Sequence, residues 1–141
     1  LVDRLNDSGI LAVQVPYHHK SPLHEAIVEV SNKPKWTEAM DSARCALTYE
    51  TASFYYDTLN PICRRVDIWQ TEYYHIMDSP KAVLEWISST GLRPYMESLT
   101  SDKDRNLFKE ELLKKYVQVY PSQKDGKVLF PFRRQFVMAT K

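Results

Sequence analysis

From Arg65 to His75 the side chains alternate, with Val66, Ile68, Gln70, Glu72 and Tyr74 on one side and Trp69, Thr71, Tyr73 and His75 on the other. A two-residue period is what a strand imposes on its side chains, so this stretch predicts a strand. Two more strand signals lie at the ends of the chain. Gly9 to Val15 is a short apolar run between Asn-Asp-Ser-Gly and Pro16, the pattern of a strand buried on both faces. Lys127 to Thr140, rich in Val, Leu and Phe, follows the turn pair Asp125-Gly126, and Pro131 points to a bulge or an edge in its first half. Helical stretches separate the three. Right-handed crossovers then allow the first two strands to run parallel and the last antiparallel to them, so the expectation is a small mixed sheet in an α/β chain.

The helix signals are local and chemical. Ser21 and Pro22 read as N-cap and first helical residue, with Leu23, Ala26, Ile27 and Val30 at helical spacing until Asn32 and Pro34. Trp36, Ala39, Met40, Ala43 and Leu47 form a second stripe, and Ala52, Tyr55, Tyr56 and Leu59 a short third one that ends at Asn60-Pro61. Ser79-Pro80 repeats the cap-and-proline pair, with Val83, Trp86 and Ile87 as the buried stripe and Gly91 where a left-handed C-cap belongs. The last helix spans about Asp102 to Val119, with Phe108, Leu112, Tyr116 and Val119 or Tyr120 inward and Pro121 closing it. Its charged start, Ser101 to Arg105, reads as a solvated helix end with Asp102 and Asp104 favouring the dipole.

Composition narrows the function classes. The 141 residues are 43% apolar, enough for a real core in one domain. Nineteen basic and 18 acidic residues leave no broad field for nucleic acid or anionic lipid, so a charged partner has to be recognised locally. No apolar run approaches the roughly 20 residues that cross a bilayer, and the expectation is a cytoplasmic chain without a signal peptide. Cys45 and Cys63 lack metal or redox spacing and read as buried reduced thiols, and His18, His19 and His24 have no carboxylate or cysteine to complete a metal site. The chain opens without methionine on what reads as a helix tail and a strand with no partner, which suggests a segment missing upstream. That exposed edge, Gly9 to Val15, is a place where a second copy would pair to give a homodimer. Only three glycines occur, and each sits where a turn wants one, so no glycine-rich nucleotide loop can be built.

Four separated stretches, "GILAVQVP", "VDIWQTEYYH", "EWISSTGLRPY" and "GKVLFPFRRQFVMA", together resemble the trans-aconitate methyltransferases, a family of class I S-adenosylmethionine-dependent enzymes. The resemblance runs over essentially the whole chain. It implies the C-terminal part of a Rossmann-like methyltransferase: residues 1–141 as a single fragment, entering at the fifth strand, with the last strand antiparallel and central. It also implies a helical substrate cap, about residues 21–60 and 79–120, that makes up most of the chain. In this family the cofactor sits at the carboxyl ends of the early strands, held by a glycine-rich loop and an acidic residue, so no S-adenosylmethionine-binding residue is expected here and the fragment alone is expected to be inactive. The alternative is a non-catalytic module for small acids or protein interaction that kept this part of the fold.

The implied reaction moves a methyl group onto a carboxylate oxygen of a small polycarboxylate. That oxygen is already ionised at neutral pH, so no general base and no catalytic residue is expected. Rate then comes from holding oxygen and methyl in line and from fixing the other carboxylates, a task for arginine forks and for tyrosine and histidine donors. The expected substrate-binding set is Tyr73, Tyr74, His75, Arg93, Tyr95 and Arg134. Duller roles compete with it: a core tyrosine on one side of the strand, a helix-end role for Arg93, core positions for Trp69 and Trp86. Relatives carry polar residues after "VP", which adds Tyr17, His18 and His19 as pocket candidates. Arg134 shares a strand face with Phe132 and Phe136, where an arginine needs an anion or a buried carboxylate. The family has proline where this chain has Arg133, which leaves open whether Arg133 or Arg134 faces inward.

Overall fold

The computed structural model describes residues 1–46 and 48–141. Along the chain these form β1 (Ile10–Pro16), α1 (Pro22–Ser31), α2 (Asp41–Ala46), α3 (Ala52–Leu59), β2 (Arg65–Met77), α4 (Pro80–Ser88), α5 (Arg93–Glu97), α6 (Asp102–Val119) and β3 (Val128–Thr140), with a single 3-10 turn at Val2–Arg4. The fold is mixed α/β, with an antiparallel sheet ordered β1-β3-β2. β3 is central and antiparallel to both neighbours, as expected. The chain divides into two compact units, residues 1–17, 49–73 and 131–141 in the first and residues 18–48 and 74–130 in the second. α3, grouped with the cap segments in the sequence reading, belongs to the first unit.

In the first unit β1 pairs with β3 from Ile10 opposite Thr140 to Pro16 opposite Arg134. One side of this sheet is covered: Val2, Leu59, Val137 and Ala139 form its buried centre, with Leu11, Tyr55, Cys63, Val66 and Ile68 packed around them. β1 is not the doubly buried strand its apolar run suggested. Exposed and half-buried residues alternate along it, and Ile10 is 56% exposed, because β1 is an edge strand covered on one side only. Backbone bonds from Tyr17 N to Arg133 O (2.9 Å) and from Lys141 N to Gly9 O (3.0 Å) give the odd-numbered residues of β1 the ladder to β3. The even-numbered amides therefore face the open rim, so Pro16 forfeits no bond by lacking an N–H. Pro131 obeys the same logic, lying beyond Arg134, the last β3 residue paired with β1.

Gln135 is fully buried in the same unit, yet its amide is satisfied: it accepts from Gln70 Nε2 (2.9 Å) and donates to the Glu50 carbonyl (3.2 Å). A buried amide left unpaired would cost about 1–3 kcal/mol, so the pair of bonds ties the start of α3 to the central strand.

The second unit is built on α6, against which α1 and α4 pack. Phe108 and Leu112 on α6 are fully buried, and Phe108 meets Trp36 edge-on at 5.7 Å between centroids and Tyr95 in a near-parallel stack at 6.3 Å. The serine caps read at Ser21 and Ser79 form, accepting from the backbone N–H of His24 and Ala82, and Ser101 caps α6 in the same way, accepting from Asp104 N–H. Of the two candidates at the end of α6, Tyr120 is buried and Val119 is 38% exposed.

Several expectations change. The second helix shrinks to Asp41–Ala46, since residues 34–40 form turns; Trp36, Met40 and Ala43 are buried but Ala39 is exposed, and Leu47 lies outside the described residues. On α4 the buried stripe is Val83, Leu84 and Ile87, which turns Trp86 a third outward. Gly91 is not a left-handed cap: its φ is not positive, and a Cβ there would come within 2.9 Å only of Ile87 Cδ1, the far end of a flexible side chain. Cys45 is exposed and Cys63 half-buried, both free thiols: Cys45 falls on the open side of short α2, and Cys63 on the margin of the first unit's core.

Gly126 is the one glycine with positive φ, at +82°, and a Cβ there would meet nothing. Strain alone decides a substitution: Gly126→Ala is expected to cost about 1 kcal/mol and to lower the melting temperature by about 3 °C, read by circular dichroism.

Candidate functional site

The side of the first unit's sheet away from that core carries the chemistry. Along β3 the even-numbered Phe132, Arg134 and Phe136 point to it, and the odd-numbered Trp69, Thr71 and Tyr73 of β2 share it, as ring contacts show. Trp69 stacks on Phe136 at 5.0 Å with an interplanar angle of 4°, and Tyr73 meets Phe132 at 5.7 Å. Each step of two along β2 matches a step of two back along β3, so Thr71 falls opposite Arg134 between two aromatic pairs. The Arg134 guanidinium lies 4.5 Å over the Phe132 ring, and its Nε is buried with no hydrogen-bond partner. Cation-π contact compensates part of the desolvation, but a buried donor without an acceptor costs about 1–3 kcal/mol. An anion on the terminal nitrogens pairs the guanidinium's charge, while the Nε itself is closed to solvent.

The neighbouring arginine is committed elsewhere. Arg133 is exposed on the opposite side of the strand and bonds Glu72 at 3.1 Å. The alternation of β3 thus separates the two arginines that the sequence could not distinguish.

The remaining members of the expected set fall into two groups. Tyr73 is 39% exposed on the Arg134 side of the first unit. The others belong to the second unit. Tyr74 is 57% exposed, on the other side of β2 from its neighbours. His75 sits half-buried between rings, 5.6 Å from Trp86 and 6.2 Å from Phe130. Arg93 opens α5, a short helix hidden in the "TGLRP" stretch, and its Nε bonds Glu97 at 2.7 Å, which raises the guanidinium pKa further. Tyr95 is a core residue: it is 1% exposed, stacks on Phe108, and burial pushes its phenol up, against the opposing pull of Arg44.

Tyr17 packs edge-on against Tyr49, at 6.4 Å, in the first unit. His18 is buried in the second, while His19 and His24 line a surface depression of about 430 Å³ with Lys20, Glu25, Val28 and Glu29. Burial lowers the His24 pKa, with His19 adding to the effect and Glu25 opposing it.

Trp69 is the residue that the sequence reading misplaced. Its hydrophobicity marked it as core, yet it is 44% exposed beside Arg134. The signal was its parity, since the alternation grouped it with Thr71, Tyr73 and His75.

The three glycines lie in connections between elements. Gly9 precedes β1, Gly91 lies between α4 and α5, and Gly126 lies between α6 and β3. None forms the turn from a strand into a helix N-terminus where backbone amides cradle an adenosyl group.

No family model matches the chain. Curated proteins do. It is 38% identical over 144 residues to the trans-aconitate 2-methyltransferase of Rhodopseudomonas palustris (strain HaA2), covering 100% of this chain and 55% of that protein. The enzyme of the same name from Afipia carboxidovorans is 37% identical over 144 residues, with the same coverage. That of Yersinia pseudotuberculosis (serotype O:1b, strain IP 31758) is 38% identical over 140 residues, covering 99% of this chain and 54% of that protein. The chain therefore spans about half the length of the curated relatives it matches, and among its described residues no helix is long and apolar enough to cross a membrane. From end to end, then, it is a homologue of trans-aconitate 2-methyltransferases, consistent with a C-terminal portion of such an enzyme.

Proposed function

We propose that this chain is the substrate-binding part of an S-adenosylmethionine-dependent O-methyltransferase that esterifies a carboxylate of a small, trans-aconitate-like polycarboxylic acid. The observation that carries the reading is Arg134, a guanidinium packed on Phe132 whose buried Nε has no protein acceptor, in a chain whose relatives bear the name trans-aconitate 2-methyltransferase. Arginine matches the planar carboxylate, and the aromatic surroundings strengthen the ion pair by excluding water.

The proposed substrate contacts in the first unit are Arg134 and Tyr73; Tyr74, His75 and Arg93 of the second unit stay candidates from the sequence reading. Arg93 has to exchange Glu97 for substrate, an inexpensive exchange for an exposed pair. Tyr95, enclosed as it is, acts by holding α5 in place. The reacting oxygen is a carboxylate and needs no proton removed, so these residues bind and orient. The methyl donor is held outside the described residues, and the cytoplasm is the proposed location.

Calorimetric titration of the 141-residue chain tests the division of labour. Trans-aconitate is expected to bind and S-adenosylmethionine not to. Measurable binding of the nucleotide, or binding of neither, overturns the reading.

A further inference from the structure

Resting on that reading, we propose that Trp69 is a specificity-determining residue: its indole N–H holds a second carboxylate of the acid anchored at Arg134, so the site selects poly- over monocarboxylates. Trp69 stands opposite Phe136, two residues along β3 from Arg134 and on the same side of the sheet. Diagonal neighbours of this kind are about 7–8 Å apart at the backbone, and the guanidinium leans over Phe132, away from Trp69, so an acid bridging the two has to present carboxylates several bonds apart.

The indole is a donor only. It is 44% exposed, and the stack on Phe136, 5.0 Å between centroids and almost parallel, fixes its plane without occupying its N–H. Among the described residues it has no acceptor. The arrangement is thus one charged donor and one neutral donor on a common aromatic floor, with Tyr73 and Phe132 on the far side of Arg134. A monocarboxylate on Arg134 leaves the indole in water. A di- or tricarboxylate engages both.

The test uses the full chain and calorimetric titration with trans-aconitate and with crotonate, an unsaturated monocarboxylate. Trp69→Phe keeps an aromatic ring facing Phe136 and deletes the N–H together with the indole's five-membered ring. It is expected to weaken trans-aconitate about tenfold, the worth of a hydrogen bond to a charged group, while crotonate changes less than twofold. Trp69→Ala serves as the second variant, with the same selective loss expected and an unchanged melting temperature showing that the fold holds. Equal losses for both acids, or no loss for trans-aconitate, overturn the inference while leaving Arg134 as anchor. Trans-aconitate binding that is indifferent to Arg134 overturns the reading beneath it as well.

Discussion

Arg134→Gln is expected to weaken trans-aconitate binding on the order of 30-fold, since a hydrogen bond between charged groups contributes about 1.5–3 kcal/mol. The substitution removes the charge and shortens the side chain, and Arg133, its sequence neighbour, is turned to the other side of the strand and bonded to Glu72. Arg133→Gln is therefore the matched control, with less than a twofold effect, because an exposed pair at 3.1 Å contributes little. The melting temperature of the Arg134 variant should hold or rise, since the buried Nε without an acceptor is gone. Calorimetry at fixed ionic strength separates the two arginines directly. Equal effects for both would mean a diffuse electrostatic contribution and would sink the assignment of Arg134 as a specific anchor.

Phe108→Ala is expected to have the largest effect on stability, about 4 kcal/mol. The ring has no exposure, and it separates Trp36 from Tyr95, so its loss leaves a cavity walled by two rigid aromatics that cannot collapse into it. The total stability of a small domain is about 5–15 kcal/mol, so the second unit becomes marginal. Urea denaturation followed by helical circular dichroism should show the shift, and a loss below about 1 kcal/mol would mean that the core around α6 repacks freely.

Much of the fold was legible because its signals are local. A serine at N-cap followed by proline needs only its own neighbours, and both such caps, Ser21 and Ser79, formed as read. The central position of β3 came instead from the family resemblance, since strand order is a property of distant segments. Burial was read less well. Ile10 and Trp69 are apolar yet exposed, because covering a strand depends on what lies beside the sheet, which hydrophobicity alone does not report. Gly91 was assigned to a left-handed helix cap by type, but its φ is not positive. At the site, Arg134 was legible through its phenylalanine neighbours, but the contrast with Arg133 needed the phase of the strand. Tyr95 was misjudged as a donor because α5 was invisible: five residues carry too little periodicity to announce a helix.

β3 changes sides along its length. Val128, Phe130 and Phe132 are buried on its even-numbered side, and Gln135, Val137 and Ala139 on its odd-numbered side, with the two arginines at the transition. A strand that reverses its inner side in this way has no spare residue. Deleting one position between Phe132 and Gln135 would turn Val137 and Ala139 outward and bring Phe136 and Met138 into their place while leaving Val128 and Phe130 as they were. The number of residues in that short bend is thus as constrained as their chemistry, so insertions and deletions there are expected to be far less tolerated than point substitutions.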